Sequence, residues 1–160
     1  MQRKTVVKAL KFCIIGLVLL SIIFFVLGVH TLFTGLMGAT SGNTFHLKLN
    51  KNDPPNDWSL TFDASPRNNG FLGISLFIRI GILNSTGQYI AVNSTSVYVA
   101  PGGQSPFSLV LTIPYEEVQR YNFTEEQGAP VVFEMMFGIR TLGDLVGFTQ
   151  TMRIPGEAKL

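Results

Sequence analysis

A long apolar segment near the start of the chain constrains this sequence more than any other feature. From Phe12 to Val29 every residue is apolar, glycine or serine, and the segment carries no charge. Its eighteen residues would rise about 27 Å in an α-helix, close to the ~30 Å hydrocarbon core of a bilayer. We therefore predict one transmembrane helix at residues 12–33.

Positive charges lie on the N-terminal side of this segment. Arg3, Lys4, Lys8 and Lys11 precede it, and no acidic residue does. The positive-inside rule predicts a cytoplasmic tail at residues 1–11 and export of everything after the helix. The rest of the chain has eight Lys or Arg and ten Asp or Glu, so it is slightly acidic. We expect the helix to contact membrane lipid, and the charge balance gives no reason to expect nucleic-acid binding.

A cleaved signal peptide is the alternative interpretation of the apolar segment. Signal peptides have apolar regions of roughly 7–15 residues that end in an A-x-A-like cleavage site. Here the apolar run is longer, and Met37, two residues before Ala39, is not small. We favour an uncleaved anchor in the cell membrane, followed by a short flexible tether at residues 34–43. The single cysteine, Cys13, lies inside the apolar segment, so the exported part has no disulfide.

Alternation of apolar and polar residues dominates residues 44–156. In the longest run, Leu72 to Ile82, the even-numbered side chains are all aliphatic. Another run, Val131 to Arg140, has Glu134 and Arg140 on its polar face. A period of two predicts strands with one buried face, and the turn-forming residues between runs separate about seven or eight antiparallel strands. Further candidate strands cover residues 45–49, 58–64, 88–92, 96–99, 107–113 and 148–154.

The fold class is therefore all-β, an antiparallel β-sandwich at residues 44–156 that is preceded by one transmembrane helix and followed by a tail at residues 157–160. One short helix is predicted at PYEEVQRY, where Pro114 suits a helix start. Glu116 and Glu117 would lie near the positive end of its dipole.

The order of these features resembles the LEA14/WHy group, the type 2 late-embryogenesis-abundant-like domains. The matching pieces are the turn Asn68–Phe71, the turn Pro101–Ser105 and the strand Phe107–Ile113. The similarity spans residues 44–155, and the group's usual Asn-Pro in the first turn is replaced by Asn69-Gly70. The resemblance implies an immunoglobulin-like or fibronectin-like sandwich, often membrane-anchored, with no catalytic residues to carry over.

Three Asn-x-Ser/Thr sequons follow the apolar segment, at Asn84, Asn93 and Asn122. This pattern accepts N-linked glycans on exported chains. All three fall in predicted turns or at their edges, where a transferase could reach them. We therefore predict glycosylation at these positions.

Arg79 lies in the middle of the longest predicted strand, where an isolated covered charge would be costly. One interpretation places it on the solvent face, opposite a carboxylate on a neighbouring strand. The other makes Phe77 and Arg79 an interaction patch, because aromatic residues and arginine are enriched at protein interfaces.

The sequence gives little support for catalysis or metal binding. His30 and His46 have no Cys, Asp or Glu at metal-ligand spacing. Asp53 and Asp57 are a weak candidate for Ca²⁺ binding through loop oxygens. Paired carboxylates are the one feature that glycosidase chemistry could use, and they lie in polar segments, at 116–117 and 125–126. We expect no enzyme activity, no catalytic residue, no metal and no cofactor.

The expected function is that of a structural or interaction module. We predict an accessory subunit of a membrane or cell-envelope assembly that binds other membrane or envelope proteins. A LEA-like ligand-binding or stress-protective domain is one alternative. A surface-filament component that lends a strand to a neighbour is another.

Overall fold

The computed structural model describes residues 2–40, 45–53, 55–121 and 130–157. These residues form one long helix, seven strands and one short helix. In chain order the elements are α1 Gln2–Thr40, β1 Phe45–Asn50, β2 Trp58–Ala64, β3 Ile74–Leu83, β4 Tyr89–Val99, β5 Phe107–Ile113, α2 Tyr115–Arg120, β6 Pro130–Thr141 and β7 Val146–Glu157.

The strands form two antiparallel sheets, one with the order β1-β2-β5 and one with the order β4-β3-β6-β7. The prediction of a mostly β fold after one apolar helix is confirmed, and we call residues 45–157 the β domain. The predicted strands at 88–92 and 96–99 are one continuous strand, β4. Its middle residues, Asn93 to Thr95, pair with Ile80 to Ile78 of β3. An edge strand tolerates such polar residues because one of its sides is open to solvent.

The core lies between the two sheets. The aliphatic side chains at 74, 76, 78, 80 and 82 of β3 are each at most 5% exposed, as the period of two predicts. Those at 78, 80 and 82 pack with inward residues of the opposite sheet, including Leu60, Phe62 and Leu111. Those at 74 and 76 form a second cluster with Val99 and Ile139. Burial of each such side chain contributes about 1.5–3 kcal/mol, so β3 is the central strand of the fold.

The C-terminal part of α1 packs against one end of the β domain. Thr31 is fully buried, and its hydroxyl accepts a hydrogen bond from the backbone N–H of Leu72 at 3.3 Å. Leu32 packs against a core cluster that includes Ile74 and Ile139. The helix therefore completes the core at this end, which we call the helix end.

Three glycines allow this close approach. A Cβ at Gly70 would lie 2.8 Å from the backbone Cα of Thr31, and one at Gly35 would lie 3.1 Å from Cδ1 of Ile74. A Cβ at Gly28 would lie 3.1 Å from Cδ1 of Leu142. A Cβ at Gly70 would meet backbone, whereas one at Gly28 or Gly35 would require the ends of side chains to move. α1 and the β domain are therefore closely packed between residues 28 and 35.

The predicted tether at residues 34–43 differs from the structure. The helix continues to Thr40, while residues 41–43 lie outside the described residues. Packing of residues 31–35 on the core stabilises these last helical turns, since most helical stability in proteins comes from tertiary contacts. Within α1, Leu10–Gly35 is long and apolar enough to cross a membrane.

Asn68 organises the loop that receives the helix. It is fully buried, and its side-chain amide donates to the carbonyls of Leu72 at 2.8 Å and Val99 at 3.1 Å. Its Oδ1 accepts the backbone N–H of Gly70 at 2.9 Å. These bonds join the end of β4 to the loop before β3 and hold Gly70 against Thr31.

Candidate functional site

The outer face of the four-stranded sheet carries the only buried charged residue in the described part of the chain. Glu134 on β6 is 3% exposed. The register places it opposite Gly81 of β3 and opposite Arg153 of β7. Glu134 faces outward, as the sequence predicts, and its burial comes from the side chains that cover it.

Three side chains from three other strands contact the carboxylate. Arg153 Nε donates to Oε2 at 2.8 Å, and Arg79 Nη2 donates to Oε1 at 3.3 Å. The Tyr89 hydroxyl donates to the same Oε1 at 2.5 Å. We call Arg79, Tyr89, Glu134 and Arg153 the Glu134 cluster. Two guanidinium groups face one carboxylate, so the cluster carries one excess positive charge.

Both arginines keep part of their hydrogen-bonding capacity. The Arg79 side chain is 33% exposed and that of Arg153 is 66% exposed. The guanidinium of Arg79 lies over the Tyr89 ring, 5.9 Å from its centroid. Arg79 Nε is buried and has no hydrogen-bond partner among the described residues. The cluster, together with Met136 and Thr151, lines a shallow cavity of about 400 Å³, which could receive an acidic group.

The contacts shift two pKa values in opposite directions. Hydrogen bonds from Tyr89 and then Arg153 lower the pKa of Glu134, against the opposing effect of burial. The hydrogen bond to Glu134, followed by burial, raises the pKa of Tyr89. Glu134 is therefore a carboxylate and Tyr89 a neutral donor at neutral pH. General acid–base catalysis needs pKa values near the working pH, so fixed charges of this kind suit binding better than proton transfer.

The two residues of the predicted interaction patch lie on this same face. Phe77 and Arg79 are two residues apart on β3, and both are partly exposed. Of the two interpretations of Arg79, the structure shows the ion pair with a carboxylate on a neighbouring strand. The interaction patch remains a prediction.

The pattern of apolar and polar residues did not identify Tyr89, Glu134 or Arg153 as partners of Arg79. A usable signal was present, because Glu134 is an isolated acid in the apolar run VVFEMMF and Arg79 is an isolated base in SLFIRIG. Two opposite charges in the middle of two apolar strands indicate a pair. Which strands are neighbours depends on the topology, so the sequence alone did not join them.

Replacing Gly81 with alanine is expected to destabilise the Glu134 cluster. The Tyr89 ring lies over Gly81, where a Cβ would be 2.7 Å from Cε1 of the ring. Gly81→Ala should displace Tyr89 from the carboxylate and lower the free energy of unfolding by about 1–2 kcal/mol. Urea denaturation in detergent measures the loss, and spectrophotometric titration should show one tyrosine pKa falling back towards its ordinary value.

Gly73→Ala is the matched control, at the residue directly before β3. A Cβ at Gly73 would meet the ring of Tyr98, which is 63% exposed and can swing into solvent. Tyr98 lies outside the Glu134 cluster, so this variant should lose less stability and leave the tyrosine titration unchanged. If both variants lose the same stability, the contact between Tyr89 and Glu134 does not contribute to the stability of the fold.

The described sequons occupy a turn and a strand. Asn84 begins the β3–β4 turn, and its Oδ1 accepts the Thr86 hydroxyl at 2.7 Å. The prediction that Asn93 lies in a turn is wrong, since it lies within β4 and its amide donates to the Val110 carbonyl at 2.7 Å. Asn122 lies outside the described residues. Glycosylation at the three positions remains a prediction.

Two of the carboxylates considered for catalysis or metal binding have other contacts. Asp57 Oδ1 accepts the backbone N–H of Tyr115 at the start of α2, at 2.9 Å. Glu117 pairs with Arg120 at 2.6 Å, while residues 125–126 lie outside the described residues. In the described part of the chain, no three His, Cys, Asp or Glu residues are grouped so that they could hold a metal ion.

Comparison with known proteins finds likeness in structure only. No protein-family model and no curated protein sequence matches this chain. A crystal structure of a protein from Archaeoglobus fulgidus is 13% identical, with a TM-score of 0.47, and the match covers 74% of this chain and 98% of that one. A protein from Arabidopsis thaliana, solved in solution, is 16% identical with a TM-score of 0.40, covering 74% and 82%.

A β-glucuronidase from glycoside hydrolase family 2 is 11% identical with a TM-score of 0.43, and the match covers 71% of this chain. The chain spans only 11% of that enzyme. No family model confirms the resemblance to the LEA14/WHy group. Identities and TM-scores this low carry no argument about family or activity.

Proposed function

We propose that this protein is a single-pass membrane protein whose β domain acts as an extracytoplasmic interaction module, an accessory subunit of a membrane or cell-envelope assembly. The observation that carries the proposal is the packed junction between an apolar helix of membrane-spanning length and the β domain. A domain fixed in this way presents its surfaces at a constant height and orientation above a bilayer. That arrangement suits a protein that holds a partner close to the membrane.

The strand order supports an immunoglobulin-like or fibronectin-like sandwich. If the seven strands are named A, B, C, C′, E, F and G in chain order, the sheets read A-B-E and C′-C-F-G. In immunoglobulin domains the strands A, B and E belong to one sheet, and C, F and G belong to the other. Domains of this architecture present their sheet faces and end loops to partners, and the Glu134 cluster lies on the C′-C-F-G face.

The charge asymmetry of the sequence supports the orientation. Four cations precede the apolar segment and no acidic residue does, which favours a cytoplasmic N-terminus. The β domain would then lie outside, where glycosylation at Asn84, Asn93 and Asn122 is expected. Asn84 lies in the turn farthest along β3 from the helix end, so a glycan there would point away from the bilayer.

The charge of the Glu134 cluster favours a partner with an acidic surface. The cluster has an excess positive charge and partly exposed guanidinium groups, and Phe77 lies beside it. Arginine and aromatic residues are enriched at protein interfaces. Complementary charge steers encounter and fixes register. We infer that Arg79 and Arg153 face carboxylate groups of another membrane or envelope protein.

Substitution of Arg153 with alanine tests this function. The tagged full chain would be purified from native membranes in mild detergent, and co-purifying proteins would be quantified. Arg153 is largely exposed and Arg79 still pairs with Glu134 when Arg153 is absent, so Arg153→Ala should leave the β domain folded. Partner recovery should fall about tenfold, which corresponds to roughly 1.4 kcal/mol.

Arg120→Ala is the matched control, because Arg120 is also exposed and pairs with one carboxylate, Glu117 of α2. It should recover the same partner in wild-type amount. Recovery of the wild-type chain only as a lone monomer would count against the interaction module. If Arg153→Ala recovers the partner in wild-type amount, the Glu134 cluster is not the surface that contacts the partner.

A further inference from the structure

Two apolar side chains protrude from the helix end of the β domain, beside α1. Leu145, in the turn between β6 and β7, is 85% exposed, and Phe71, in the loop before β3, is 67% exposed. They lie on different loops, so no single turn sequence explains both. Exposed apolar groups that cluster at one end of a domain mark an interaction surface.

Both loops reach α1 at the same height. Gly28 lies beside the turn that carries Leu145, since a Cβ there would lie 3.1 Å from Leu142 and 3.6 Å from Val146. The Phe71 ring lies 5.4 Å from the ring of His30, centroid to centroid. The two protruding side chains therefore flank the helix near residues 28–30.

The length of the helical segment that precedes the contact with the β domain indicates that residues 28–30 lie at the boundary of the bilayer. Residues 10–26 are all exposed, Leu27 is half-buried, and Gly28 is buried against the β domain. The exposed segment rises about 26 Å, close to the ~30 Å thickness of the hydrocarbon core. If residues 10–26 fill the core, residues 28–30 lie where acyl chains meet headgroups.

The backbone conformation of the β6–β7 turn also supports an interaction surface at the helix end. Leu142, Gly143 and Asp144 all have positive φ, of 55°, 61° and 71°. Left-handed backbone is unfavourable for leucine, and such conformations persist where the surroundings determine them. Here the turn packs Leu142 against the helix and leaves Leu145 exposed. Arg140 and Asp144 are 4.0 Å apart beside it, so the turn brings no net charge to the lipid surface.

We propose that Phe71 and Leu145 seat the β domain on the lipid surface, as two contacts on either side of the transmembrane helix. The inference rests on the membrane anchor of the proposed function. Lipid is the occupant because the contact surface is continuous with the helix that crosses the bilayer. The two loops and the helix then hold the domain in a fixed orientation, with the Glu134 cluster facing sideways along the membrane.

Site-specific fluorescence in vesicles tests the seating. The full chain would carry Cys13→Ser and a single new cysteine, Leu145→Cys or Phe71→Cys, labelled with the fluorophore NBD. It would be reconstituted into phosphatidylcholine vesicles. Lipids with a spin label near the headgroup should quench both labels. Aqueous iodide should quench them about threefold less than a label held in water, because interfacial residues lie below the headgroups.

Ser85→Cys is the control position, in the exposed turn at the opposite end of β3. Its label should be quenched by iodide and not by the spin-labelled lipid. Emission from Trp58, which is 5% exposed, reports whether each variant is folded. If iodide quenches the labels at 145 and 71 as strongly as the label at 85, the seating is wrong.

A label on the native Cys13 tests the membrane anchor independently of the proposed contact of Phe71 and Leu145 with lipid. Deep spin-labelled lipid should quench it, because Cys13 lies on the exposed surface of the apolar helix. Quenching at Cys13 without quenching at 145 and 71 would overturn the seating and leave the anchor intact. Absence of lipid quenching at Cys13 would overturn both.

Discussion

Replacing Glu134 with glutamine is expected to lower the free energy of unfolding of the β domain by about 2–3 kcal/mol. Removal of one partner from a buried ion pair costs about 3–5 kcal/mol. The loss should be smaller here, because Arg153 and part of Arg79 can turn towards water. Glutamine keeps the shape of the side chain, so the effect reports the lost charge. Urea denaturation followed by Trp58 emission measures it.

Glu117→Gln is the matched control for this substitution. Glu117 also pairs with an arginine, Arg120, at 2.6 Å, but the pair lies at the surface on the short helix α2. Exposed ion pairs contribute roughly 0–1 kcal/mol, so the control should lose less than the Glu134 variant. If both variants lose the same stability, the burial of Glu134 has no energetic role.

The same carboxylate should make stability depend on pH. Because folding lowers the pKa of Glu134, its contribution is complete above the unfolded value of about 4.3. It is lost as the pH falls from there through the lower folded pKa.

Folding raises the pKa of Tyr89, so its contribution is complete below about pH 10 and is lost as the pH rises through the folded value. Denaturation midpoints across these two ranges should change less in Glu134→Gln than in the wild type.

Replacing Gly70 with alanine is expected to separate α1 from the β domain. The added Cβ would lie 2.5 Å from Cγ2 of Thr31 and 2.8 Å from its backbone Cα. Backbone cannot move aside as a flexible side chain can, so we expect a loss of about 2 kcal/mol. The Leu72 amide, which donates to the Thr31 hydroxyl, should then exchange with solvent about 30-fold faster. Hydrogen exchange in detergent measures both changes.

Gly16→Ala provides the comparison, because a Cβ at Gly16 would meet nothing within 4 Å. Alanine favours helix by about 1 kcal/mol over glycine, so this variant should keep the wild-type exchange rate at Leu72. An unchanged rate in Gly70→Ala would mean that the helix and the β domain are not packed together in the protein. The sideways orientation of the Glu134 cluster would then have no basis.

Local patterns predicted the elements and their faces. The alternation in β3 and β6 identified the side chains that face the core, because successive residues of a strand face opposite sides whatever the strand pairs with. The apolar segment identified α1, because its length and lack of charge suffice. Pro114 and the two acidic residues after it predicted α2. In each case the signal lies within a few consecutive residues.

Pairing between distant segments was decided only by the tertiary structure. Residues 93–95 resemble a turn, yet the ladder with β3 keeps β4 continuous through them. The helix continues past residue 33 because its last turns pack on Ile74 and Ile139, which lie far away in the sequence.

The Glu134 cluster shows the same division. The sequence by itself determined that Arg79 and Glu134 face outward from two apolar strands, since side-chain direction follows from the local period of two. Only the tertiary structure decided that β6 lies between β3 and β7 and that Tyr89 closes over Gly81. Burial and charge pairing depend on neighbours that are distant in the chain, and no local pattern encodes them.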